Sequence, residues 1–268
     1  MALPWSLRRR PWLRAGVAFV CLIWPGIAAG QSPASAGQAA PVAVDRPSQD
    51  YMFGRPRASI AFRGSWVFAT AGSDVFDFVT EQLTLEKGDF NTPGIAFDVD
   101  IALTPRMDLQ VGFDNSYSST DSEYRDYVDN NEQPIEQTTS LRQFGISASA
   151  KYALLPRGRG ISRFAWVPRT ATPYVGAGAG LVKYEFKQQG DFVDFVDLSV
   201  FNDTFRSEGW APSVHVFGGV DVRVYKQLYV TAEARYVWSE ADLETDFEGF
   251  EPIDLSGFRC GGGVRFVF

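Results

Sequence analysis

From about residue 60 onward the chain alternates apolar and polar positions with period two, in eight separate stretches. The first sets Ile60, Phe62, Trp66 and Phe68 against Ala61, Arg63 and Ser65. The second sets Ile95, Phe97, Val99 and Ile101 against Ala96, Asp98 and Asp100, and the third sets Leu109, Val111 and Phe113 against Gln110, Gly112 and Asp114. In the fourth, Phe144, Ile146 and Tyr152 oppose Gln143, Ser149 and Lys151. The fifth is Gly-rich, with Val175, Ala177, Ala179 and Leu181 between Gly176, Gly178 and Gly180. The sixth places Val214, Val216 and Val222 opposite His215, Asp221 and Arg223; the seventh places Leu228, Val230, Tyr236 and Trp238 opposite Glu233 and Arg235. The eighth runs from Phe258 to Phe268, with Arg259 and Arg265 on its polar side. A strand reads this way when its two faces meet different solvents.

The connections alternate too. They are long (about 71–94), tight (105–107), long (119–137), intermediate (155–171), long (188–208), tight (225–227) and long (240–254). This rhythm predicts an all-β fold: an eight-stranded antiparallel up-and-down transmembrane β-barrel over residues 55–268, with four long extracellular loops and short periplasmic turns. Upstream, Arg8, Arg9, Arg10 and Arg14 precede the apolar stretch 15–27 and the small residues Ala28-Ala29-Gly30. That order predicts a signal peptide over 1–36, cleaved after Gly30 or Ala36. Residues 37–54 read as a disordered leader.

The terminal strand carries Val264, Phe266 and Phe268 on its apolar face. This terminal aromatic resembles the sorting signal that bacterial outer-membrane barrels present to their assembly machinery. Together with the strand count, it makes the chain similar to the small outer-membrane barrels of the OmpX, OmpW and OmpA-membrane-domain type. The resemblance implies a bacterial outer-membrane location, with outer-membrane lipids and the barrel-assembly machinery as partners.

Charge refines this picture. The polar faces carry Arg63, Lys151, Arg223, Arg235, Arg259 and Arg265 against Asp98, Asp100, Asp114, Asp221 and Glu233. Eight strands leave an interior only wide enough for side chains, so these charges are expected to pair across the lumen as a rigid plug. The alternative is a narrow channel for ions or a small apolar solute, gated by exchange of those pairs. The long connections are rich in Asp and Glu and hold three bases, Lys87, Arg125 and Arg206, whereas 155–171 holds Arg157, Arg159, Arg163 and Arg169 and no acid. An acidic crown is expected to attract divalent ions or a cationic partner. It should repel lipopolysaccharide phosphates unless divalent ions bridge the two.

Two connections are unusually apolar. Residues 73–83 have a capping Ser73, early acids and apolar Phe76, Val79 and Leu83 at helical spacing. Residues 192–205 add Phe192, Phe195 and Phe201. These six are expected to pack as a lid over the barrel mouth; the alternative is a binding site for a small apolar molecule.

Candidate chemistry is sparse. Asp242, Glu244 and Asp246 have calcium-loop spacing, but Phe247 stands where an EF-hand needs Gly and Ile253 where it needs Glu. His215 and Ser213 share a face, an arrangement that resembles that of lipid A deacylases, but the order is reversed and the face points into the lumen. The sequence therefore predicts no enzyme, cofactor, metal or nucleic-acid partner. It predicts a filled barrel whose acidic, aromatic-rich loops serve envelope structure or surface interaction, with a lipid-modifying enzyme as a distant alternative.

Overall fold

A computed structural model describes residues 51–129, 132–162 and 164–268. The expected signal peptide, 1–36, and the leader as far as residue 50 lie outside the described residues. Eight long strands follow: β1 Ala58–Ala69, β2 Thr92–Ala102, β3 Met107–Val128, β4 Pro134–Ala153, β5 Ala171–Val193, β6 Val200–Tyr225, β7 Leu228–Ala241 and β8 Gly257–Val267. Each pairs antiparallel with the next, and β8 returns to β1 in the register Phe266↔Ile60 to Gly257↔Ala69. Within the closed ring each strand is paired on both sides, which satisfies the backbone groups there without water.

Alternation fixes which face is which. Ile60, Phe62, Trp66 and Phe68 point outward and are exposed, while Ala61, Arg63 and Val67 between them are buried. The same split runs round the ring, giving an apolar outer band and a polar interior. Gly263 faces inward at the closing seam, where an added Cβ would collide with the backbone carbonyl of Phe62. Free Cys260 lies half-buried on β8.

Two predicted loops are largely strand. The connection 119–137 shrinks to residues 129–133, because β3 and β4 stay paired as far as Val128↔Pro134. The connection 188–208 shrinks to 194–199, because β5 and β6 stay paired to Val193↔Val200. Strands β3 to β6 therefore rise well beyond the rest of the ring. The other two long connections cap the barrel. Residues 70–91 form helix α1, Asp74–Gln82, followed by a 3-10 turn, and residues 242–256 fold beside it. Ser73 starts α1 but makes no side-chain cap; its Oγ instead accepts the Asp254 N–H at 3.1 Å.

The end of the leader and the Arg-rich turn are ordered together. Met52–Phe53 pairs with Ala165–Pro168, which pairs in turn with Gly158–Ser162, making a small three-stranded sheet at the turn end. Within the stretch 37–54 expected to be disordered, the described residues Met52–Phe53 are strand. Trp166, which suits no interfacial girdle in sequence, is buried beneath this sheet.

Candidate functional site: a charged lumen

The inward side chains of the barrel wall form three connected clusters. Nearest the turn end, Lys151 lies 3.1 Å from Asp221 and 3.7 Å from Asp100. Arg265 pairs with Asp100, reaches Asp221 at 3.2 Å and donates to Ser59 Oγ at 2.9 Å. The Lys151 ammonium also sits 3.7 Å from the centre of the Tyr174 ring, a cation–π contact. In the middle, Arg63 bridges Asp98 at 2.8 Å and Glu233. Arg235 donates to the other Glu233 oxygen at 3.0 Å, and Tyr174 donates its hydroxyl to Glu233 at 3.0 Å. Toward the loop end, Arg259 pairs with Asp114 and donates to Gln143 at 3.1 Å.

Five cations thus face five anions, each of the ten on the inner wall. Taking charges out of water is costly unless geometry and hydrogen bonds compensate. Here the shared contacts compensate in part, leaving both Asp98 oxygens, Asp100 Oδ1, Arg259 Nε and Arg265 Nη2 without a hydrogen bond, and the Arg259–Gln143 bond ties together strands on opposite sides of the ring. Arg223 shares the parity of Asp221, pairs in register with Tyr229, and is half-buried near the turn-end rim of β6. Cavities along this column hold about 60, 30 and 10 Å³. The largest of these is on the order of two water volumes.

Both ends are stoppered. At the loop end, Phe76, Val79 and Leu83 of the α1 segment are buried with Leu85, Phe90, Phe186, Phe247 and Leu255. The rings of Phe76 and Phe90 meet edge to face at 4.8 Å, and those of Phe186 and Phe247 at 5.3 Å. This apolar cap sits above the charged column, so three of the six expected lid residues close the mouth. Phe192 is buried against Phe205 at 4.7 Å, higher in the extended hairpin. Phe195 and Phe201 are exposed at the hairpin tip, Phe195 against Tyr127 and Phe201 against Phe192. They are not part of a lid, because the strands they were expected to fold back from continue outward. In the cap, burial raises the Tyr124 phenol above its usual range. At the tip, the Ser199 N–H lowers the Asp197 carboxyl.

At the turn end the Arg-rich ribbon folds back over the opening. Arg157 holds Asp108 with two parallel hydrogen bonds, at 2.7 and 2.5 Å. Asp108 escapes the sequence reading because 105–107 reads as a tight turn and the alternation as starting at Leu109, though Asp108 shares parity with Gln110 and Asp114. His215 lies on the inner wall with Ser213, but its Nε2 bonds Ser149 Oγ at 2.8 Å rather than Ser213. Gly178 makes room for that pair: a Cβ there would lie 2.8 Å from His215 Nε2. The His and Ser of the deacylase-like pattern are therefore screened from lipid by the barrel wall. The assembly-signal residues Val264, Phe266 and Phe268 point outward and are exposed.

A sequence family described as outer membrane protein beta-barrel domain matches residues 36–266. The chain belongs to this family. Its place is the bacterial outer membrane, and the apolar band is its lipid-facing surface. Among solved structures, this outer-membrane barrel is similar to the neisserial surface protein NspA (14% identity, TM-score 0.46, covering 79% of this chain and 96% of that one). It is also similar to OprG of Pseudomonas aeruginosa (9% identity, TM-score 0.41, 81% and 99%) and to Ail of Yersinia pestis (12% identity, TM-score 0.37, 80% and 100%). No curated protein matches the chain.

Proposed function

We propose that this outer-membrane barrel works through its surface and not through its lumen, as a non-conducting, non-catalytic scaffold. The observation that carries this reading is the triple obstruction: a paired charge column, an apolar cap above it and a latched ribbon below it. A lumen filled in this way is a stiff core, and its stiffness supports the tall β3–β6 wall. The tip of that wall carries exposed Phe195, Val196 and Leu198 among Asp191, Asp194 and Asp197. A partner suited to it has apolar side chains ringed by basic ones. Assembly through the β8 aromatic positions Phe266 and Phe268 belongs to the same proposal.

The test is conductance in planar bilayers with the barrel refolded from its pure chain. A surface scaffold stays silent across salt concentrations and voltages. Reproducible cation-selective steps would overturn the reading in favour of a gated channel.

A further inference from the structure

Above the apolar band, the outer face of β4, β5 and β6 changes chemistry within one step along each strand. Outward-pointing Phe144, Leu181 and Trp210 give way to Arg142, Lys183 and Glu208. The registers Arg142↔Glu185, Lys183↔Trp210 and Lys187↔Arg206 gather these residues into one patch. Its two acids are already engaged: Arg206 contacts Glu185 at 3.4 Å and Glu208 at 2.8 Å. Arg142 lies 5.3 Å from the centre of the Tyr117 ring, and Lys187 donates to Gln189 at 2.7 Å. Among the described residues, Arg142, Lys183 and Lys187 form no ion pair within 4.0 Å.

A groove of about 230 Å³ runs between Tyr117 with Arg142 and Lys187 with Gln189. Its lining adds Glu185 and the hydroxyls of Ser119, Thr138 and Ser140, of which Thr138 donates to Asp121 at 2.7 Å. Arg142 and Lys187 in the groove, Lys183 one step nearer the apolar band on β5, and three hydroxyls form a receptor for a multiply charged oxyanion, with the one lining acid, Glu185, engaged by Arg206. Depth identifies the source. The groove begins where the apolar band ends, beside the interfacial rings of Tyr117 and Trp210, which is the level of lipid headgroups. The rest of the loop end is acidic, so a soluble polyanion is repelled on approach, while a lipid already in the leaflet arrives sideways.

We propose that this groove binds the phosphate of an outer-leaflet glycolipid headgroup, held by Arg142 and Lys187 in the groove and by Lys183 at its membrane-side end. It offsets locally the repulsion that an acidic crown exerts on such phosphates, with no need of bridging divalent ions.

The experiment uses the refolded barrel in phosphatidylcholine nanodiscs, with EDTA present, titrated with diphosphorylated lipid A or with its dephosphorylated form and read by native mass spectrometry. The expected result is at least about tenfold preference for the phosphorylated lipid, given the attraction each basic side chain exerts near a charged headgroup. The exposed triple change Arg142→Ser, Lys183→Ser and Lys187→Ser abolishes that preference, and Lys183→Ser alone weakens it. Arg159→Ser with Arg169→Ser at the opposite end leaves it intact. Equal binding of the two lipids, or preference retained in the triple variant, overturns the proposal. So does preference that appears only when magnesium replaces EDTA, because the acidic residues would then hold the lipid through the ion. Displacement of the lipid by inorganic phosphate at the same concentration would assign the groove to a soluble anion instead, and overturn the lipid assignment.

Discussion

Arg157 grips Asp108 from outside the barrel ring, with two hydrogen bonds of 2.7 and 2.5 Å between a turn and the start of β3. The carboxylate is buried and the guanidinium is partly open to water. This pair fastens the ribbon that covers the turn end. Replacing Arg157 by Ala leaves Asp108 buried with its main cation gone, at a cost of about 1–3 kcal/mol. The ribbon then opens, and tryptic cleavage at Arg159 and Arg169 in the refolded protein rises several-fold. Unchanged cleavage would mean that the small three-stranded sheet holds the ribbon without the latch.

Glu233 is the hub of the middle cluster, serving Arg63, Arg235 and Tyr174 at once. Glu233→Gln keeps the shape but removes the charge that both guanidinium groups face. Breaking a buried pair in this way costs about 3–5 kcal/mol. Urea titration followed by tryptophan fluorescence in lipid vesicles should show that loss. Conductance should stay silent, because the cap and the ribbon remain in place; open-channel steps in the variant would show that the pairs themselves are the gate.

Phe76 touches Phe90 at 4.8 Å and Phe186 at 5.9 Å, and so joins α1 to the wall of β5. Phe76→Ala is expected to cost about 3–5 kcal/mol. The loss should be local: the ring of strands keeps its heat-resistant mobility on gels, while hydrogen exchange speeds up across residues 74–90. Uniform faster exchange through the strands would show that cap and barrel unfold as one unit.

Gly178 lies against Ser149 and His215 across the inner wall. Gly178→Ala forces that contact apart and is expected to cost about 1–3 kcal/mol. Adding His215→Ala should return part of the loss, and a double-mutant cycle measures the coupling. Full additivity would mean that the strain lies against the Ala148 carbonyl and the Ser149 hydroxyl and not against His215.

Much of the barrel wall is legible in the sequence, because a strand's side-chain period is fixed whatever its neighbours are. Arg63, Asp98 and Lys151 could therefore be placed inside without knowing the ring. Their partners could not be read. Arg63 meets Glu233 170 residues away and Arg265 meets Asp100 across 165, separations set by the stagger of a closed sheet. The upper halves of β3 to β6 hid for another reason. Beyond the lipid band both faces are polar or mixed, as with inward Ser116, Ser118 and Ser122 against outward Ser119 and Asp121. Alternation in hydrophobicity fades there while the backbone ladder continues, so a strand looks like a loop. The outward basic patch was obscured in the same way, since Arg142, Lys183 and Lys187 become neighbours only through cross-strand register.

The unequal strands give the barrel a front and a back. At about 3.3 Å per residue, the 26 residues of β6 extend roughly 86 Å along the strand, against roughly 36 Å for the 11 of β8. A strand that long outreaches a hydrocarbon layer about 30 Å thick even when tilted. A molecule descending on the cell surface meets a parapet on one flank and a low sill on the other. Recognition there has a compass bearing: neighbours that approach from β4 to β6 face the tall wall and its cationic foot, while those that approach from β8 and β1 look straight across the cap.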